Sequence, residues 1–112
     1  MSAKPVLNDN FVFDPDAMVG GAQAATDFLK AMAHEGRLMI LCRLAEGECS
    51  VTEFEDLLSA RQAAVSQQLA RLRLDGVVGT RRDGKSVYYF LQDERVKKFI
   101  PVLYEMFCKD DC

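Results

Sequence analysis

The side chains best able to do covalent or metal chemistry in this chain are four cysteines, Cys42, Cys49, Cys108 and Cys112, and one histidine, His34. An ionised thiol attacks sulfur or binds soft metals, and how readily it does so depends on nearby charge and on exposure. Cys42 sits in ILCRLAEGECS among residues with helical apolar spacing, where a thiol often packs simply as a small hydrophobe. Cys49 follows Gly47 and Glu48 and reads as a loop thiol; His34, in the turn AHEG, reads as a surface or capping residue. Cys108 and Cys112 would share a helix face, but the closing KDDC reads as a tail, which makes Cys112 dispensable. A soft-metal site needs three or four thiolate or imidazole groups converging at about 2.0–2.3 Å. No spacing here supplies such a set. Nor is there a Cys-x-x-Cys, a nucleophile paired with histidine or a glycine-rich phosphate loop, so neither an enzyme nor a cofactor is expected.

A second chemistry is written in charge. The net charge is −3, yet residues 61–98 hold nine Lys or Arg against four Asp or Glu, a net +5 set on a remainder of −8. Such a segment is the electrostatic footprint of a nucleic-acid binder, and equally of a solvated charged face. Within it, ARQAAVSQQLARLR presents Gln62, Ala63, Ser66, Gln67 and Arg71 on the side opposite Val65, Leu69 and Leu72. Glutamine pairs with adenine through two bonds, alanine touches a thymine methyl, and serine reaches a base or a phosphate. Further on, RRDGK places Arg81, Arg82 and Lys85 at a turn where a phosphate backbone or minor groove could meet them. The plainer alternatives are a solvated helix surface and a charged turn that blunts a sheet edge. Both features in this order, a strand-length run apart, favour double-stranded DNA as the partner.

These residues need elements to hold them. One domain is expected from 112 residues, 49% apolar and 28% charged. No apolar run approaches the roughly 20 residues of a membrane span, and the first residues lack a signal peptide's apolar core. A cytoplasmic location is therefore expected, where thiols stay reduced. Residues 1–18 are expected to form a partly mobile N-terminal arm, and residues 19–110 the folded domain. From Gly21 the pattern turns helical, with the stripe Ala25, Phe28, Leu29 and Met32. A second helix turns Leu38, Leu41, Cys42 and Ala45 inward and stops at Gly47. Ser50 and Glu53 have the spacing of a capping box, opening a short helix that buries Phe54, Leu57 and Leu58. The helix carrying Val65, Leu69 and Leu72 ends at Asp75-Gly76. VVGTRRDGKSVYYFL then predicts two strands around Asp83-Gly84, a preferred two-residue hairpin turn. A last helix, from about Glu94 to Cys108, has the stripe Val96, Phe99, Ile100, Leu103 and Phe107, with a kink or a broken first turn expected at Pro101. The order α-α-α-α-β-β-α is a winged helix-turn-helix, mainly α with a small β-hairpin wing.

At this point a resemblance is plain. VTEFEDLLSARQAAVSQQLARLRLDGVVGTRRDGKSVYYFL resembles the helix-turn-helix and wing of the ArsR/SmtB family of bacterial repressors, and FLKAMAHEGRLMILCRL resembles its preceding helices. Together they cover roughly residues 22–108. The resemblance implies a homodimer built mainly from the first and last helices, with two recognition helices in successive major grooves of a palindromic operator. Metal-sensing members carry a Cys-x-Cys pair where this chain has Ser50 and Thr52, or His and carboxylate ligands on the last helix, where it has no histidine. The placement of Cys42 and Cys108 is instead similar to the BigR/SqrR-like branch, whose repressors sense sulfide-derived persulfides or oxidants through two such thiols. The third, N-terminal cysteine of some members is absent. The branch implies a repressor that holds DNA when reduced and is released when reactive sulfur species or an oxidant bridge Cys42 to Cys108. A repressor answering to a thiophilic metal or metalloid is the alternative. Arg43 and Lys109, next in sequence to the two thiols, are expected to lower their pKa.

Overall fold

A computed structural model describes residues 10–58 and 62–108 of the chain. Its elements run α1 (Pro15–Met32), α2 (Glu35–Glu46), β1 (Cys49–Ser50), α3 (Val51–Leu58), α4 (Gln62–Leu74), β2 (Val78–Asp83), β3 (Ser86–Leu91) and α5 (Glu94–Phe107). The architecture is the expected winged helix-turn-helix, mostly helical with one small antiparallel sheet.

Local chemistry sets most boundaries. α1 begins at Pro15, ahead of Gly21 where the apolar period starts, and so takes in the end of the 1–18 segment. Asp14 accepts a bond from the Asp16 N–H at 3.0 Å, and proline's fixed φ suits the first helical position. The period misses this turn because all side chains from 11 to 20 are exposed. His34 caps α2, its Nδ1 accepting from the Gly36 N–H at 3.0 Å. The capping box of α3 closes reciprocally: the Ser50 N–H donates to Glu53 Oε1 at 2.8 Å, and the Glu53 N–H to Ser50 Oγ at 3.2 Å. α5 starts on Asp93, whose carboxylate accepts from the Arg95 and Val96 N–H groups. It runs unbroken through Pro101, with Val96 and Ile100 buried in the stretch just before the missing donor.

The core joins α2, α4, α5 and the sheet through Ile40, Leu41, Leu69, Leu72, Val78, Val96 and Ile100, with Phe54 of α3 fully buried beside them. Leu57 and Leu58 have side chains outside the described residues. α2 is rotated from its expected setting. Ile40, Leu41 and Leu44 are buried, Cys42 and Leu38 half-buried and Ala45 exposed, because α2 is packed against both α4 and α5 rather than against one face.

The sheet corrects the sequence reading twice. It has three strands, ordered β1-β3-β2, since Cys49 and Ser50 pair with Tyr89 and Tyr88. Cys49 is therefore no loop thiol but a fully buried core residue. A two-residue strand is too short to show a period, and its partner lies far along the chain. In the hairpin, Asp83 pairs with Ser86, so the turn centres on Gly84-Lys85 and not on Asp83-Gly84. Gly84 has φ +65°, which the first central position of such a turn requires.

Among the described residues, α1 is seated by its last turns. Phe28, Ala31 and Met32 pack on the core, with the Phe28 ring edge-on to Phe99 at 5.7 Å and Arg95 5.9 Å over Phe28. Met18, Val19 and Leu29 stay exposed. The radius of gyration, 16.0 Å, exceeds the roughly 13 Å of a compact chain of this length. Among the described residues no helix is long and apolar enough to cross a membrane.

Candidate functional site

α4 is seated by a short apolar stripe, with Val65, Leu69 and Leu72 buried against α2, α3 and β2. A period of about 100° per residue then turns Ser66, Gln67 and Arg71 outward, and all three are exposed. Gln62 and Ala63 belong to the first turn of the same helix, with side chains outside the described residues. Arg71 donates from Nε to Asp75 Oδ2 at 3.4 Å, a loose, exposed pair that a phosphate oxygen can replace.

The wing does not present its three cations as one cluster. Arg81, Arg82 and Lys85 are exposed, but strand alternation sends Arg81 and Arg82 to opposite faces. Arg81 is committed to Glu48: its Nε donates to the two carboxylate oxygens at 3.1 and 2.9 Å, and its Nη2 to Oε1. Its guanidinium also lies 4.7 Å over the Tyr88 ring. The Arg81 hydrogen bonds hold the Glu48 carboxyl below the usual carboxylate range, and Glu48 in turn raises Arg81. No ion pair among the described residues involves Arg82 or Lys85.

The described thiols differ in their surroundings. Cys42 is half-buried on α2, which packs against α5. Cys108 caps the C-terminus of α5, half-buried, its N–H donating to the Tyr104 carbonyl at 2.8 Å. Burial, and then the charge of a Cys108 thiolate, push the Cys42 thiol above its ordinary value. The expected lowering of Cys42 by Arg43 is overturned. Arg43 donates to the Gly47 carbonyl at 3.1 Å and pairs with Glu46, and its charge acts on Cys49 instead. One step along a helix turns a side chain by about 100°, so adjacency in sequence does not aim Arg43 at its neighbour. Cys49 is nonetheless raised, because its burial outweighs Arg43. Lys109 and Cys112 lie outside the described residues. Among the described residues, no three His, Cys, Asp or Glu side chains converge as metal ligands.

Two contacts of this region are invisible in linear spacing. Glu48 precedes Arg81 by 33 residues. Arg37 precedes Gln68 by 31 and donates to it from Nε at 2.7 Å, while its Nη1 donates to the Ala31 carbonyl at 3.2 Å. The only available sign of the second is that Arg37 stands in GRLMIL, a run otherwise without charge.

Comparison with known proteins agrees with the winged-helix fold. The family described as "Bacterial regulatory protein, arsR family" matches residues 34–80, from the cap of α2 into β2. A biofilm growth-associated repressor of Agrobacterium fabrum is 45% identical over 92 residues, 82% of this chain and 79% of that protein. The transcriptional activator HlyU of Vibrio cholerae is 46% identical over 85 residues, 76% of this chain and 79% of that one. The crystal structure of the transcriptional repressor BigR from Xylella fastidiosa superposes with a TM-score of 0.80 at 37% identity, over 87% of this chain and 99% of that chain.

Proposed function

The chain belongs to the ArsR family of bacterial regulatory proteins, in its BigR-related branch, and from that premise we propose a thiol-switched repressor. It binds palindromic operator DNA as a homodimer when reduced, and lets go when reactive sulfur bridges Cys42 to Cys108. α4 enters the major groove, where Gln62, Ala63, Ser66 and Gln67 meet base edges and Arg71 a phosphate. Arg81, Arg82 and Lys85 of the wing meet the flanking backbone. A second copy covers the apolar residues left exposed on α1 and α5, among them Met18, Leu29, Tyr104, Met106 and Phe107.

The single observation that carries the sensing half is the placement of two half-buried thiols on separate helices packed against each other. A Cys42 held mainly as the protonated thiol reacts slowly at rest and needs a strong sulfur electrophile. The Cys42 thiolate attacks the outer sulfur of a persulfide RSSH, forming Cys42–S–SH and releasing RSH. A second RSSH extends this to Cys42–S–S–SH with loss of a second RSH. The Cys108 thiolate then attacks the sulfur bonded to Cys42 Sγ and expels hydrosulfide, closing a trisulfide. Two protein thiols are oxidised, and one of the two transferred sulfurs leaves reduced as hydrogen sulfide. A relaxed disulfide needs Cα atoms within about 7 Å, whereas a trisulfide spans more. A gap slightly too wide for the former gives selectivity for persulfide over peroxide.

Bridging α2 to α5 ties the DNA-reading body to a dimerisation helix and shifts the separation of the recognition helices, which must match an operator repeat of about 34 Å. A difference of ~1–3 kcal/mol between the two states gives a 5–150-fold change in affinity. Operator anisotropy of reduced protein against persulfide- and peroxide-treated samples tests this, with Cys42→Ser and Cys108→Ser as controls. Persulfide should release wild type and leave both variants bound. Mass spectrometry should find added sulfur bridging the two cysteine peptides; a simple loss of two hydrogens as the only product would refute the trisulfide.

A further inference from the structure

Gln68 sits beside Gln67 but does not share its role. It is half-buried, at the border between the outward face of α4 and the stripe of Val65, Leu69 and Leu72. Its Oε1 accepts from Arg37 Nε at 2.7 Å, and the same guanidinium reaches the Ala31 carbonyl at the end of α1. One side chain on α2 thus joins three helices. A guanidinium suits this position because it is always charged and its donors form a rigid, planar fork.

The stripe that seats α4 is apolar, and apolar contact is non-directional. It sets the depth of the helix better than its rotation. A side-chain tip lies roughly 6 Å from the helix axis, so a rotation of about 15° moves it by roughly 1.5 Å. That displacement is enough to break a hydrogen bond to a base edge. A directional bond at the border of the stripe opposes such rotation.

We infer that Arg37 is a positioning residue for operator recognition: by holding Gln68 it fixes the rotation of α4, and by holding the Ala31 carbonyl it ties that rotation to the end of α1. This rests on the reading of α4 as the helix that enters the groove. Arg37 touches no base. It acts through Gln68 on where Ser66 and Gln67 point, and so governs discrimination between sequences more than affinity for DNA in general.

The test uses the full chain and two duplexes, one selected from a random library by wild-type protein and one a shuffled sequence of the same length. Arg37→Met keeps the aliphatic stem and removes the donors; Gln68→Met keeps the length and removes the acceptor. Each variant should lose about tenfold in binding to the selected duplex, while binding to the shuffled duplex stays within about twofold. The double variant should lose no more than Arg37→Met alone, because the bond that Gln68→Met removes is already gone there. Gln68→Glu keeps an acceptor and should retain discrimination. Equal losses on both duplexes, multiplying losses in the double variant, or a Gln68→Glu that behaves like Gln68→Met would each overturn the assignment. Should wild-type protein itself select no sequence, the reading of α4 falls and the positioning role falls with it.

Discussion

At the scale of single residues, Cys42 is governed by burial and by Cys108, which both favour its protonated form. Its alkylation rate should keep rising beyond the ordinary thiol range, about pH 8.5. Cys108→Ser removes one of the two causes and should move the inflection to lower pH. Iodoacetamide kinetics on the Cys42 peptide check both; an inflection unmoved by Cys108→Ser would show the thiols uncoupled. Stability follows with a definite sign. Cys42 and Cys49 hold their protons more tightly folded than unfolded. Their contribution is complete below the unfolded thiol pKa and is lost as pH rises through the folded one, so the urea midpoint should fall above about pH 8.5. Glu48 makes a second residue-scale case. Glu48 holds Arg81; if, as proposed, the wing meets the DNA backbone, Glu48→Gln should tighten low-salt binding to any duplex roughly two- to fivefold. An unchanged affinity would place Arg81 outside the DNA contact.

The elements show how far local pattern reaches. The α3 capping box is readable as Ser50-x-x-Glu53 and closes as read. Ser50→Ala should cost about 1 kcal/mol in urea unfolding, and because Ser50 also ends β1, it should loosen the pairing with Tyr88. The hairpin is readable as well, but its centre is not. An Asp-Gly pair marks a turn, while the register that places Gly84-Lys85 at the tip comes from the pairing of β2 with β3 along its whole length. Gly84→Val should destabilise by about 1–2 kcal/mol, since φ of +65° crowds a Cβ, and the melting temperature should fall accordingly. On α2 the period identifies a helix without its rotation. A helix flanked by two others buries a wider arc than one resting on a single surface, which draws Ile40 and Leu44 inside.

On the scale of the whole molecule, an 18-residue helix seated by one end is an incomplete structure. Short helices hold in water mainly through packing of an apolar face, and most of α1 has none among the described residues. A second copy supplies it in the proposed dimer. Wild-type protein should therefore sediment as a dimer, and Leu29→Glu should sediment as a monomer. Operator affinity should then drop by more than about tenfold, because two linked half-site contacts become one. A Leu29→Glu protein that stays dimeric would move the interface away from α1.

The order of the helices and the hairpin, the capping box of α3, the buried stripe of α4 and the outward setting of Ser66, Gln67 and Arg71 follow from sequence by itself. They depend on periodicity and on contacts within a few residues. Tertiary structure decided the burial of Cys49, the engagement of Arg81 by Glu48, the hold of Arg37 on Gln68, and which thiol feels which charge. Each of these joins groups on different elements. Coulomb forces and hydrogen bonds depend on distance and direction in space, and those exist only once the helices have packed.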